Sequence, residues 1–255
     1  MERLVILGGG ESGVGTAILG KKEGYDVFVS DFGKIKENYK DVLTKYEIKW
    51  EDEKHTEDLI LNADVVMKSP GIPDKVAIVK KLHEKGIPVI SEIEFAAPFT
   101  KATTIGITGS NGKTTTTMLT YHLLKEAGLN VGLAGNIGKS FAWQVAEENY
   151  DLYVLELSSF QLDGIINYKP HIAIITNISP DHLDRYDYKY ENYIESKFRV
   201  TKNQTQDDYL IYDADDEAIS NWLQNNKVKA QLIPFSITKQ LEKGAFLNNK
   251  TMEIN

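Results

Sequence analysis

The stretch Thr103-Thr-Ile-Gly-Ile-Thr-Gly-Ser-Asn-Gly-Lys-Thr-Thr115 decides the fold. Its first six residues read as a buried strand, glycines break the run, and a helical period follows from Lys113 to Ala127. Strand, glycine loop and helix in that order make a phosphate cradle. The amides of Gly109, Ser110, Asn111, Gly112 and Lys113 can face an anion, Lys113 can neutralise β/γ charge, and the Thr114 hydroxyl suits Mg²⁺. With Thr115 these residues form the expected ATP site. A strict Walker A motif would have glycine at Ile107, so the match is to Gly-Lys-Thr with a shorter glycine spacing. A lysine here opposes the helix dipole unless an anion is present, which favours a nucleotide site over an empty turn.

Working outward, short β-branched runs alternate with helical periods, the pattern of βαβ units and parallel sheets. Downstream, strands are expected at Leu152–Leu157, His171–Asn177 and Tyr209–Tyr212, with helices at Tyr190–Lys202 and Asp216–Gln224. Upstream, strands at Leu4–Leu7, Asp26–Asp31, Asp64–Lys68 and Pro88–Ser91 enclose helices at Gly13–Glu23 and Asp74–Lys85. The pattern breaks at Ala96-Ala-Pro-Phe-Thr100. We therefore expect two α/β domains: a Rossmann-like parallel-sheet domain over 1–96 and a P-loop domain over 97–255. Ala245–Leu247 and Met252–Ile254 flank the turn-prone Asn248-Asn249-Lys250 and predict a terminal hairpin.

The upstream domain has its own glycine turn, Gly8-Gly-Gly-Glu-Ser-Gly13, between a strand and a helix. Asp31, ending the next strand, can accept from a sugar hydroxyl. Alone, this turn fits a dinucleotide dehydrogenase or an empty strand-to-helix turn about equally, but only one short unit follows it, leaving room for one nucleotide rather than NAD.

Composition narrows the class. The 255 residues are 42% hydrophobic and 26% charged, as in globular proteins. The 29 Lys and Arg against 37 Asp and Glu give a net charge of −8, which repels nucleic acid and anionic membranes. Polyanionic ligands must then be held in local pockets. No apolar run approaches the roughly 18 residues of a membrane span. Zero cysteines exclude thiolate chemistry and a disulfide framework. No basic-then-apolar leader opens the chain, and a cytoplasmic setting is expected.

Five motifs in one order resemble the Mur ligase family: Thr108-Gly-Ser-Asn-Gly-Lys-Thr-Thr115, Gly135-Asn-Ile-Gly138, Glu156-Leu-Ser-Ser-Phe-Gln-Leu162, Asn177-Ile-Ser-Pro-Asp-His-Leu-Asp-Arg-Tyr186 and Ser196-Lys-Phe-Arg199. Gly8 to Gly13, Ser69-Pro-Gly-Ile-Pro73 and Pro88-Val-Ile-Ser-Glu92 are similar to members that add D-glutamate. The resemblance implies an amide ligase that uses ATP and Mg²⁺, with UDP-N-acetylmuramoyl-L-alanine and D-glutamate as substrates, acting as a monomer in peptidoglycan precursor synthesis. It also implies a third, amino-acid-binding domain that this sequence does not contain, so little ligation is expected from these residues alone. Alternatives are another Mur or folylpolyglutamate-type ligase, or a catalytically silent nucleotide-binding module.

Residue roles follow from the same resemblance. Lys113, Glu156, His182 and Lys197 are the expected catalytic set, and Thr114, Glu156, His182 and a carbamylated Lys197 the expected metal set. Two readings stand independently of it. Glu156 ends an apolar strand, where a buried carboxylate needs a cation. Lys197 falls on the apolar stripe through Tyr190, Tyr193, Ile194 and Phe198, and burial favours the neutral amine that reacts with CO₂. Glu11, Ser12, Asp31, Phe32 and Ser69 are assigned to the UDP end, with Glu11 turned away from pyrophosphate. Asn136, Ser158, Ser159 and Gln161 are assigned to the muramoyl-alanyl part. His55, His83 and His122 read as structural.

Overall fold

The computed structural model describes residues 1–248 and 251–255. In chain order its first elements are β1 (Arg3–Leu7), α1 (Glu11–Lys22), β2 (Asp26–Ser30), α2 (Glu37–Lys45), β3 (Lys49–Glu51), α3 (Glu57–Ile60), β4 (Val65–Lys68), α4 (Ala77–Glu84), β5 (Val89–Ile90) and α5 (Glu92–Ala96). They are followed by β6 (Thr103–Thr108), α6 (Lys113–Glu126), β7 (Val131–Gly135), α7 (Phe141–Glu147), β8 (Leu152–Glu156), α8 (Ser159–Asp163), β9 (Ile172–Ile175), α9 (Tyr190–Phe198), β10 (Tyr209–Asp213), α10 (Glu217–Asn225), β11 (Gln231–Ser236), β12 (Ala245–Asn248) and β13 (Thr251–Ile254). The fold is α/β. Two compact units emerge: one of 1–101, 138–149 and 163–168, the other of 102–137, 150–162 and 169–255.

The first unit holds a parallel sheet in the order β3-β2-β1-β4-β5. One face is filled by Val5, Leu7, Phe28, Val66, Val79 and Leu82. The segment carrying α7 joins this unit because α1 meets it closely: a Cβ on Gly15 would lie 2.1 Å from Ser140 Oγ and 2.9 Å from the Trp143 amide. Residues 163–168 join it through Glu94, whose carboxylate accepts from the amides of Ile166, Asn167 and Tyr168 at 2.9–3.1 Å.

Glu92 and Glu94, both buried on α5, should respond oppositely to substitution. Glu94→Ala strands three inward-facing amides and is expected to cost about 3 kcal/mol in chemical denaturation. Glu92 Oε1 accepts from Ser140 Oγ and the Ala142 amide, while Oε2 lacks a partner. Burial pushes its carboxyl above the ordinary range, and the neighbouring Glu11 adds to this against the bonds from Ser140, Ser12 and Ala142. A raised folded pKa means that stability is full below the unfolded value and falls as pH rises from it through the folded one. Glu92→Gln should therefore be at least as stable as wild type at neutral pH and flatten that fall.

The second unit holds an eight-stranded sheet in the order β13-β12-β11-β10-β9-β6-β8-β7, parallel except for β12 against β13. Ile105, Ile107, Val131 and Val154 form a core cluster of this unit, with Tyr121 and Leu124 of α6 packed against it. The strands of the expected hairpin pair Ala245 with Ile254 and Asn248 with Thr251, while Asn249 and Lys250 lie outside the described residues. Two strands of this unit escape the sequence reading, as three-residue β3 does in the first. β7, Val-Gly-Leu-Ala-Gly, has too little side-chain bulk to signal a strand, and β11 contains Pro234.

Candidate functional site

In the second unit, β6 lies between β8 and β9, so three parallel strands bring their carboxyl ends together where connections leave in opposite directions. From β6 come Thr108 and the loop to α6. From β8 comes Glu156, and from β9 come Thr176, Asn177 and the segment reaching His182.

The loop is held open by β9. Ser110 and Asn111 donate their amides to Asn177 O and Oδ1 at 2.8 and 3.0 Å, while Asn177 Nδ2 and Thr176 Oγ1 donate back to Asn111 O at 2.9 and 2.7 Å. Ser110 Oγ bonds Ser179 O at 2.8 Å. Two of the amides offered to phosphate by sequence reading are thus used to shape the loop. The first amides of α6, at Lys113 to Thr115, have no partner within the helix by geometry and form the anion-facing end. Gly109, at φ +143°, cannot be replaced: a Cβ there would lie 2.1 Å from Thr176 Oγ1. Lys113 Nζ donates to Ser110 O at 2.9 Å, a neutral carbonyl that an anion can outcompete.

Glu156, 1% exposed, accepts from Thr114 Oγ1 through Oε2 at 2.7 Å and from Asn136 Nδ2 through Oε1 at 2.8 Å. A hydroxyl and a carboxylate sharing one proton at a helix start are the hard oxygen donors that Mg²⁺ takes, its remaining positions being filled by phosphate and water. Thr114 and Glu156 therefore fit the ion. His182 is not brought into this pair by any observed contact. It sits at φ 48°, half-exposed, with Nε2 3.5 Å from Asp181 and its ring 5.2 Å from Phe160. Among the described residues no three His, Asp or Glu side chains converge on a metal position.

Lys197 is 2% exposed, as its place on the apolar stripe predicts. Its Nζ is 3.4 Å from Thr108 Oγ1 and 5.1 Å from the centre of the Tyr193 ring. Ser158 and Gln161 bond each other, Gln161 Oε1 receiving the Ser158 amide and hydroxyl at 3.0 and 2.9 Å. Ser159 and Gln161 are buried, and the Ser159 carbonyl receives Ser196 Oγ at 3.1 Å. In this structure both therefore brace α8, although sequence reading gave them to substrate. Phe160, which the motif reading passed over, lies against His182, Arg185 and Tyr186.

In the first unit the glycine turn leads into α1. Asp31 clamps it, Oδ2 accepting from the Gly9 amide at 2.6 Å and Oδ1 from Gly33 at 2.8 Å. Ser69 packs against Gly8 so closely that a Cβ there would lie 2.4 Å from Ser69 Oγ. Glu11 turns its carboxylate to the Ser140 amide at 3.0 Å, and Ser12 faces Glu92. Beside Asp31 opens a cavity of about 510 Å³, walled by Ile72, Pro73 and Val76 and flanked by Phe32 and His55. Phe32 is 75% exposed. His55 escapes a reading of the chain because the group it bonds, Ser30, lies 25 residues away on β2.

Comparison with known proteins gives the following. Residues 107–254 match the Mur ligase middle domain, and residues 3–77 match the MurD N-terminal domain. The chain is 66% identical over 253 residues to the UDP-N-acetylmuramoylalanine-D-glutamate ligase of Christiangramia forsetii, covering 99% of this chain and 57% of that protein. It is 56% identical over 254 residues to the enzyme of that name from Bacteroides thetaiotaomicron, covering 100% and 57% respectively. The chain thus spans 57% of the length of these relatives. Among solved structures, UDP-N-acetylmuramate:L-alanyl-gamma-D-glutamyl-meso-diaminopimelate ligase from Neisseria meningitides shares the fold at TM-score 0.65 and 18% identity, over 96% of this chain and 83% of that one. UDP-N-acetylmuramate-alanine ligase from Thermotoga maritima does so at TM-score 0.57 and 21% identity, over 94% and 53%.

Proposed function

Because the chain belongs to the Mur ligase family, we propose that it carries the UDP-substrate and ATP sites of a ligase joining D-glutamate to UDP-N-acetylmuramoyl-L-alanine. The first unit takes the UDP end and the second takes ATP. A cytoplasmic reaction is part of this proposal; separately, no helix among the described residues is long and apolar enough to cross a membrane.

The chemistry requires activation, since a carboxylate does not acylate an amine at neutral pH. The L-alanyl carboxylate oxygen attacks the γ-phosphorus of ATP and ADP leaves. The D-glutamate amine then attacks the acyl carbon, inorganic phosphate leaves, and the amine gives up a proton. Both the nucleophile and the phosphate of the first step are anionic, so the site must gather positive charge. Lys113 supplies it by exchanging the Ser110 carbonyl for phosphate oxygen, and the α6 amides add their dipoles. Mg²⁺ held by Thr114 and Glu156 would supply further charge to the β/γ oxygens. Asn136 keeps the Glu156 carboxylate oriented through its second oxygen. Lys197, carbamylated by attack of its neutral amine on CO₂ with loss of a proton, would become an anion beside Thr108.

The observation that carries this reading is the 2.7 Å pairing of Thr114 with a buried Glu156 directly after Lys113. Calorimetric titration tests it. MgATP and UDP-N-acetylmuramoyl-L-alanine should each bind the chain, and NAD should not. Binding of NAD with no response to MgATP would return the dehydrogenase reading.

A further inference from the structure

The cavity beside Asp31 contains a hydrogen-bond device that the ligase reading does not use. Glu51, a buried carboxylate on β3, receives the Ser30 hydroxyl on Oε1 at 2.8 Å and the Thr56 amide on the same oxygen at 2.7 Å. Burial pushes its carboxyl up, but the bonds from Thr56 and Ser30 outweigh this and hold it below the ordinary range, so it is an obligate acceptor. The single Ser30 proton is therefore committed to Glu51. His55 Nδ1 lies 2.7 Å from the same Ser30 oxygen, and with no proton left on Ser30 it is Nδ1 that must donate. This fixes the tautomer: Nδ1 carries hydrogen and Nε2, across the ring, is a bare acceptor. Burial lowers the imidazole pKa against the pull of Glu51 and Asp31, in keeping with a neutral ring.

Among the described residues, Nε2 is also the one side-chain acceptor of the cavity that holds no hydrogen bond. Three of them can accept: Asp31, His55 and Glu57. Both Asp31 oxygens already hold the amides of Gly9 and Gly33. Both Glu57 oxygens hold Lys81 Nζ, at 2.6 and 2.7 Å. Phe32 offers an exposed aromatic face 5.7 Å from the His55 ring, and the remaining wall is apolar. A flat ring that stacks on Phe32 and presents one in-plane N–H satisfies this arrangement, whereas a ring with a lone pair at that edge meets another lone pair.

We propose that His55 is a specificity-determining residue which selects uracil over cytosine, Nε2 accepting the uracil N3–H. This rests on the reading that the first unit binds a UDP-linked substrate, with the diphosphate at the start of α1 and the base beyond Asp31. Uracil carries hydrogen at N3 and cytosine a lone pair, while size, ribose and diphosphate charge are shared, so the two differ where His55 acts.

The test is calorimetric titration of the whole chain with UDP and with CDP. Wild type should prefer UDP by about tenfold or more, the discrimination expected of one buried hydrogen bond exchanged for a lone-pair clash. His55→Ala should bring UDP and CDP to one level, weakening UDP by the lost hydrogen bond and relieving CDP of the lone-pair clash, and His55→Gln, which retains an acceptor oxygen, should recover part of the preference. A His55→Ala protein with an unchanged UDP/CDP ratio overturns the role of His55 alone. Wild type that binds neither nucleotide overturns both this inference and the UDP reading beneath it. Nitrogen-15 NMR of wild type is independent of any variant's folding: the His55 signals should show hydrogen on Nδ1, with Nε2 moving on addition of UDP. Hydrogen on Nε2 in the free protein contradicts the proposal.

Discussion

Replacing Lys113 with alanine is expected to weaken MgATP binding by at least 100-fold while leaving binding at the first unit untouched. The side chain does little for the folded state, since the one hydrogen bond of its ammonium among the described residues is to Ser110 O, a neutral carbonyl. It therefore stabilises bound phosphate far more than the empty loop. Removing a preorganised cation from a phosphate site costs about 3 kcal/mol, which is more than 100-fold. Lys113→Arg should recover little, because the ammonium acts as a compact point charge that a planar guanidinium fork does not reproduce. Circular dichroism should show both variants folded, and tight MgATP binding by Lys113→Ala would remove the loop from the nucleotide site.

The second large effect is expected at Lys197. A lysine that is 2% exposed, surrounded by Thr108 and Tyr193, is an expensive side chain to keep in a core for packing alone. Methionine has similar length and no charge, so Lys197→Met should fold with equal or greater stability. If the amine serves as a carbamate, the same variant should lose 100-fold or more of ATP-dependent activity when placed in a protein of the relatives' length. Carbon-13 NMR after labelling with bicarbonate should show a carbamate signal in wild type that is absent from Lys197→Met. Wild-type activity in that variant, or no carbamate signal in wild type, would return Lys197 to a structural role.

The contrast between these lysines shows what the chain makes legible. The strand, glycine loop and helix from Thr103 to Glu126 were readable because strand, glycines and Lys113 are consecutive, so local pattern and tertiary position coincide. Glu156 was readable as the last residue of an apolar strand, and Lys197 as a charge on an apolar stripe. What escaped depends on contacts distant in sequence. The place of α7 in the first unit rests on Gly15 meeting Ser140, and that of residues 163–168 on Glu94 collecting three amides. His55 looked like any isolated histidine until the sheet brought Ser30 and Glu51 to it. For Ser159 and Gln161 the chain shows polarity next to Glu156 and not their burial in the turn into α8, which long-range packing sets.

The central claim is that ATP cleavage in the second unit is coupled to a carboxylate substrate held through its UDP end. ADP release tests it most directly, measured on a protein carrying these 255 residues at the length of the curated relatives, beside its Lys113→Ala counterpart. Release should require UDP-N-acetylmuramoyl-L-alanine, reach steady turnover only with D-glutamate, and vanish in Lys113→Ala. Release that ignores both substrates, or that persists without Lys113, would contradict it.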